Sequence, residues 1–143
     1  MNVTVLFGGP CLEIDGVKHH HHPNGGGLVA ETAAVEDTAF IGPFARVFGN
    51  AKVSGNAQVY GDAKVYGDAE VSGNAKIYGK AEVSGNAQVY GYAKVYGYAK
   101  VYGYAKVYGN AQVYGKAQVY GDAQVSGDAE VSGDAEVSLG TKT

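Results

Sequence analysis

The stretch GNAKVSGNAQVYGDAKVYGDAEVSGNAKIYGKAEVS, residues 49–84, decides the fold. It is one hexad written six times: glycine, a polar residue, alanine, an outward-type residue, an aliphatic residue, then Ser or Tyr. Ala-x-Val alternates with period two, so Ala and Val share one side of a short strand and the residue between them takes the other. Gly followed by Asn or Asp marks a bend, because glycine carries no steric penalty and Asn and Asp tolerate unusual backbone angles. A helix is excluded, since 3.6 residues per turn would scatter positions six apart around its axis.

Working outward, 15 glycines spaced by six run from Gly49 to Gly133, and an aliphatic residue recurs 19 times from Val29 to Val137. The early units TAAVED, TAFIGP and FARVFG, residues 32–49, keep the aliphatic spacing with few of the glycines. From Arg46 onward the residue between Ala and the aliphatic is Lys, Glu, Gln or Arg, as a solvent-facing position requires. Three hexads close a triangular coil of about 18 residues, and about six coils stack into a rod on the order of 30 Å long. The predicted class is all-β: a single parallel β-helix, or β-solenoid, with a small N-terminal β segment.

The aliphatic and small positions of Val53–Gln58 (VSGNAQ) and Val65–Glu70 (VYGDAE) carry a family resemblance. Over roughly residues 28–138 the chain resembles the hexapeptide-repeat left-handed parallel β-helices, the transferase-hexapeptide-like solenoids. Left-handed coiling is implied by that resemblance alone, because parallel crossovers elsewhere are normally right-handed. The chain departs from the family in placing Tyr or Ser directly after the aliphatic residue, where many members have a small or acidic one.

Composition bounds the rest. Gly occurs 23 times and Tyr 12 times in 143 residues, Trp is absent, and the apolar residues are mostly Val and Ala, so the core must be narrow and regular. A net charge of −3 gives no reason to expect a nucleic-acid partner, and no run is long enough for a membrane span. Cys11 is the sole cysteine, which excludes an intrachain disulfide. The N-terminus MNVTVLFGG lacks a basic leader, so the expectation is a soluble protein made in the cytoplasm.

Residues 1–27 are read as a hairpin cap or anchor and residues 28–143 as the solenoid. NVTVLF and CLEID alternate as strands do, Asp15-Gly16 is a hairpin-turn signal, and PNGGG leads into the first coil. So small a segment needs another surface: the solenoid, a sister chain or another protein. LGTKT follows the last coil with no helix or loop to cover it, and Asp122, Asp128, Glu130, Asp134 and Glu136 make that end acidic enough to discourage stacking of rods.

The resemblance brings two chemistries. Hexapeptide-repeat acyltransferases use a histidine between coils of neighbouring subunits, and gamma-class carbonic anhydrases hold zinc with three histidines from adjacent chains. From Val29 onward this chain has no histidine, so no catalytic residue and no cofactor is expected. Its four imidazoles, His19, His20, His21 and His22, are contiguous. Strand alternation pairs His19 with His21 and His20 with His22. In a trimer such a run could gather around a metal; the other readings are a tag remnant or a polar strand packed at the trimer axis.

The surface signal is aromatic. GYAKVY occurs three times in succession from Gly91 to Tyr108, one whole coil. It predicts a belt of Tyr92, Tyr96, Tyr98, Tyr102, Tyr104 and Tyr108 with Lys94, Lys100 and Lys106. Such a belt suits ladder stacking, or contact with sister chains, a host protein or a surface glycan. The functional expectation is a non-catalytic structural or display rod anchored by residues 1–27, often trimeric, with a layout similar to phage capsid decoration proteins or tail spikes. The alternatives are an acyltransferase-like or carbonic-anhydrase-like enzyme, and a designed or bacterial repeat scaffold without a specific ligand.

Overall fold

A computed structural model describes residues 3–5 and 11–142. β1 (Val3–Val5), β2 (Cys11–Ile14) and β3 (Val17–His21) form an antiparallel meander. Asp15 and Gly16 make the two-residue turn between β2 and β3, with φ of 52° and 81°. Positive φ at both positions is what a type I′ hairpin demands, and Asp-Gly supplies it.

The solenoid follows as β4 (Leu28–Ala30), β5 (Ala34–Val35), β6 (Phe40–Ile41) and then one two-residue strand per hexad, ending with β22 (Glu136–Val137). Up to Gln118–Val119, each of these strands pairs in parallel with the strand three hexads further along, as Lys64 with Glu82 and Val65 with Val83. Among the described residues this makes three sheets of ten, seven and six strands. Each sheet is one face of the rod. The first face starts at β4, the second at β5 and the third at β6.

The interior is the two-residue alphabet that the hexad requires. Of the 19 aliphatic positions from Val29 to Val137, all but Val35 are buried, and from Ala51 to Ala123 every repeat alanine is fully buried. Val35 is half-buried because β5 has a neighbour on one side only. Each coil therefore stacks Val on Val and Ala on Ala, with burial worth roughly 1.5–3 kcal/mol per Val before backbone entropy is subtracted.

The corners explain the glycine. All 15 repeat glycines have φ between 61° and 69°, where L side chains pay a steric penalty. Stacking adds a second constraint at an inner corner such as Gly85, where a Cβ would sit 2.8 Å from the Gly103 nitrogen. In the first coil the corners at Thr32 and Thr38 lack glycine and avoid positive φ. They close with Ala33 N–H donating to Ala30 O at 3.0 Å and Ala39 N–H to Glu36 O at 3.1 Å. The hydroxyls of Thr32 and Thr38 donate to Gly49 O and Gly55 O, taking the part played higher up by backbone N–H groups such as Asn50 to Gly67 O.

The two ends are finished differently. β3 pairs antiparallel with β4, so the meander extends the first face (His19 opposite Ala30, His21 opposite Leu28). The loop after it covers the start of the third face, with Gly27 N–H donating to Ile41 O and Ile41 N–H to Asn24 O. The N-terminal segment thus packs on the solenoid of its own chain. At the other end one face is extended, while among the described residues the first and third faces end at Glu136–Val137 and Glu130–Val131. β23 (Thr141–Lys142) pairs parallel with Gln124–Val125 and extends the second face. Thr141 lies opposite Gln124, one position short of three full hexads, because the segment Leu139–Gly140 makes a shorter corner than the repeat does. No helix long and apolar enough to cross a membrane occurs among the described residues.

Candidate functional site

The coil from Gly91 to Tyr108 separates its tyrosines by slot. The slot after the aliphatic residue lies along a face, and the three-hexad coil puts its rings in register. Tyr60, Tyr78, Tyr96 and Tyr114 form one stack, with successive centroids 4.9, 4.8 and 5.0 Å apart and interplanar angles of 5° or less. Tyr102 stacks on Tyr120 at 5.1 Å and Tyr90 on Tyr108 at 4.9 Å. On the first face the ladder is interrupted at Ser84, and Tyr66 stacks instead on Phe48 at 4.8 Å. The hydroxyls are engaged too: Tyr96 donates to Gln112, Tyr102 to Gln118 and Tyr108 to Gln124, at 2.9 to 3.2 Å. Burial raises Tyr60, Tyr66, Tyr78, Tyr90, Tyr96 and Tyr102 above the usual tyrosine value, since a phenolate is costlier to desolvate than a phenol.

The slot after glycine lies at a corner, and there the rings project. Tyr92, Tyr98 and Tyr104 are 64%, 58% and 65% exposed, one at each of the three edges of the same coil. The belt is therefore two structures. Tyr96, Tyr102 and Tyr108 belong to ladders that brace the rod, and only Tyr92, Tyr98 and Tyr104 are presented outward. Lys94, Lys100 and Lys106 occupy the centres of the third, first and second faces, and of the three Lys100 alone is exposed.

One coil away from the corner tyrosines lie groups that belong with them. Lys80 places Nζ 5.5 Å from the Tyr98 ring centroid, within cation–π range. Tyr92 borders an open groove of about 490 Å³ on the third face, lined also by Asn74, Lys76, Lys94, Asn110 and Gln112. Lys76 and Lys94 are register partners on adjacent strands, and Lys94 is the partner of Gln112. These neighbours were readable from the coil length, but only once the coil was treated as a surface and not as a count of tyrosines.

The histidines are part of the cap. The expected alternation fails only at His22, which lies beyond β3: His19 and His22 are buried, His20 is half-buried and His21 is exposed. β3 ends at His21, so His22 has left the strand and turns under the first coil, where Nε2 donates to Ala39 O at 2.9 Å. His21 donates from Nδ1 to Gly26 O at 2.8 Å. His19 accepts at Nε2 from the Arg46 guanidinium at 3.2 Å; a guanidinium can only donate, so the ring carries its proton on Nδ1, toward Val17 O at 2.9 Å. Arg46 in turn lies 4.0 Å over the Phe48 ring, and burial lowers its pKa, with Asp15 acting in the opposite sense. No group of three His, Cys, Asp or Glu placed to hold one ion occurs among the described residues.

No curated protein and no solved structure matches the chain. A family model described as the YdcK beta solenoid repeat matches residues 45–61, 57–73 and 105–121. The matched segments flank Tyr92, Tyr98 and Tyr104 without including them. With coils of three hexads stacked in parallel along three sheets, the chain is a β-solenoid repeat protein.

Proposed function

We propose that the chain is a non-catalytic structural rod that displays a contact belt and is anchored through residues 1–27. The observation that carries this reading is the belt itself. On a core built from two side chains, one coil alone puts a large exposed aromatic at all three corners. Tyr at such density is the composition of a contact surface. In its specific form the rod is a member of the hexapeptide-repeat left-handed class, used as a virion part of the capsid-decoration or tail-spike type and assembled from three chains.

An acyltransferase or carbonic anhydrase reading needs an imidazole presented to substrate or zinc. Supporting the non-catalytic reading, three of the four imidazoles engage backbone carbonyls, His19 and His21 within the cap and His22 on the first coil, and His19 also accepts from Arg46. Sedimentation equilibrium of the full chain, with acetyl-CoA binding and zinc retention after dialysis measured in parallel, tests both parts. Three chains sedimenting together without either ligand is the expected result. A monomer overturns the trimeric spike, and stoichiometric acetyl-CoA or zinc overturns the non-catalytic assignment.

A further inference from the structure

The middle of the third face is more basic than the faces beside it. Its three coils contribute NAKIYGK (74–80), YAKVYGY (92–98) and NAQVYGK (110–116), which hold four lysines and no Asp or Glu in a chain of net charge −3. Acidic residues bound the strip on either side, Asp62 before it and Asp128, Glu130 and Asp134 after it. Within it, Lys76 and Lys94 are directly paired in the parallel register. Like charges so placed, at the strand spacing of about 4.8 Å, weaken a sheet. An anion lying across both would relieve that repulsion. Asn74, Asn110 and Gln112 line the same groove and both donate and accept hydrogen bonds, and Tyr92 stands exposed beside them.

We infer that this strip binds an anionic polysaccharide, its carboxylate or sulfate groups on Lys76 and Lys94, its hydroxyls on the Asn and Gln amides, and a sugar ring against Tyr92. This deepens the display reading and rests on it. Three features select a glycan among polyanions. The backbone groups of the face are already bonded coil to coil, as in Lys76 N–H to Ala93 O and Lys94 N–H to Ala111 O, so an acidic peptide has no sheet edge to extend. A single-stranded nucleic acid stacks successive bases on several aromatic faces, but Tyr78 and Tyr96 are stacked on both sides, which leaves Tyr92 as the exposed ring beside the groove. The amides beside the lysines suit a hydroxyl-rich chain, for which a plain charge strip would be indifferent.

The test is titration of the full chain with polygalacturonate and with heparin, and with neutral dextran, poly(dT) and polyglutamate in parallel. Binding of one or both acidic glycans is expected, with carboxylate and sulfate distinguished by which of the two binds more tightly, and none to dextran. Lys76→Gln/Lys94→Gln should weaken it by about tenfold or more, the loss of two charge-assisted contacts. Lys52→Gln/Lys64→Gln, which removes the same charge from the second and first faces, should change it by less than about twofold. Tyr92→Asn should weaken it severalfold. Thermal unfolding guards against misfolding, because removing the Lys76–Lys94 repulsion should leave the variant at least as stable as the parent.

Failure of both glycans to bind, equal loss in the two lysine variants, or tighter binding of poly(dT) or polyglutamate each overturns the inference. If the chain still sediments as a ligand-free trimer in any of those cases, the display reading stands without it. A chain that instead binds stoichiometric acetyl-CoA or zinc removes the display reading itself.

Discussion

Two alanine substitutions at equal φ should differ about twofold in cost. Gly85 and Gly133 both have φ of +64°, so alanine at either pays the left-handed penalty of about 1–2 kcal/mol. Above Gly85 lies another coil. A Cβ there would sit 2.8 Å from Gly103 N and 3.2 Å from Gly103 O, both backbone atoms that cannot rotate away. Nor can the coils part freely, since Asn86 N–H donates to Gly103 O at 2.7 Å across the same gap. Overpacking of that kind adds about 1–3 kcal/mol, for a total of about 2–5 kcal/mol at Gly85. Gly133 has nothing within 4 Å of the same added atom, so it should lose only the first part. Denaturant unfolding of Gly85→Ala and Gly133→Ala, joined to amide exchange at Asn86, measures the difference. Equal destabilisation, or unchanged exchange at Asn86, would refute the claim that coil stacking and backbone angle both demand glycine.

Above pH 10 the rod should lose stability. Burial raises the ladder tyrosines from their ordinary value of 10, so alkali strips protons from the unfolded chain first; the contribution is complete below pH 10 and disappears as pH climbs through the raised values, and Tyr78→Phe with Tyr96→Phe should flatten the fall in an alkaline melt. His19→Ala should release the meander rather than the rod, because it deletes a buried ring that accepts from Arg46. A loss of about 2–4 kcal/mol in exchange protection confined to β3 is expected, and uniform loss along the solenoid would contradict it. Gly140→Val meets no atom within 4 Å but must hold φ of 82°, so it should unseat β23 and uncover the strand Gln124–Val125. Light scattering should then show more end-to-end association than in the parent, and an unchanged size distribution would count against β23 as a guard.

The solenoid was legible because every informative position repeats. Val59, Val65 and Val71 carry the same information three times over, and glycine at a fixed interval announces a corner whichever coil it closes. The Asp15-Gly16 hairpin was legible for a local reason, as two residues that accept positive φ between alternating runs. What the sequence hid depended on breaks in the pattern. His22 falls out of alternation because β3 stops one residue earlier, at a point fixed by the bonds of Gly26 and Gly27 and not by the imidazole. LGTKT reads as leftover chain because its strand pairs one position out of step with the coil, which no six-residue count reveals. Tyr96 and Tyr98 look alike in the sequence, yet one is braced by Tyr78 and Tyr114 while the other has only a lysine for company.

That last contrast says where a rod of this kind can acquire specificity. The buried slots are held to Ala and Val by neighbours above and below, and the corner glycine by backbone contact, so three of six positions have almost no freedom. The slot after the aliphatic residue is coupled along a ladder, and a change at Tyr96 is felt by Tyr78, Tyr114 and Gln112. The corner slot after glycine carries the least coupling: Asn, Asp, Lys and Tyr succeed one another there with no change in φ of the glycine before them beyond a few degrees. Substitutions there should add nearly independently. A binding strip can therefore be written onto one face by changing corner and central residues of three coils, at little cost to the fold that carries it. Asn74, Lys76, Tyr92, Lys94 and Asn110 are residues of those two slots, which is why the third face can differ so sharply in charge from its neighbours while its strands keep the same register.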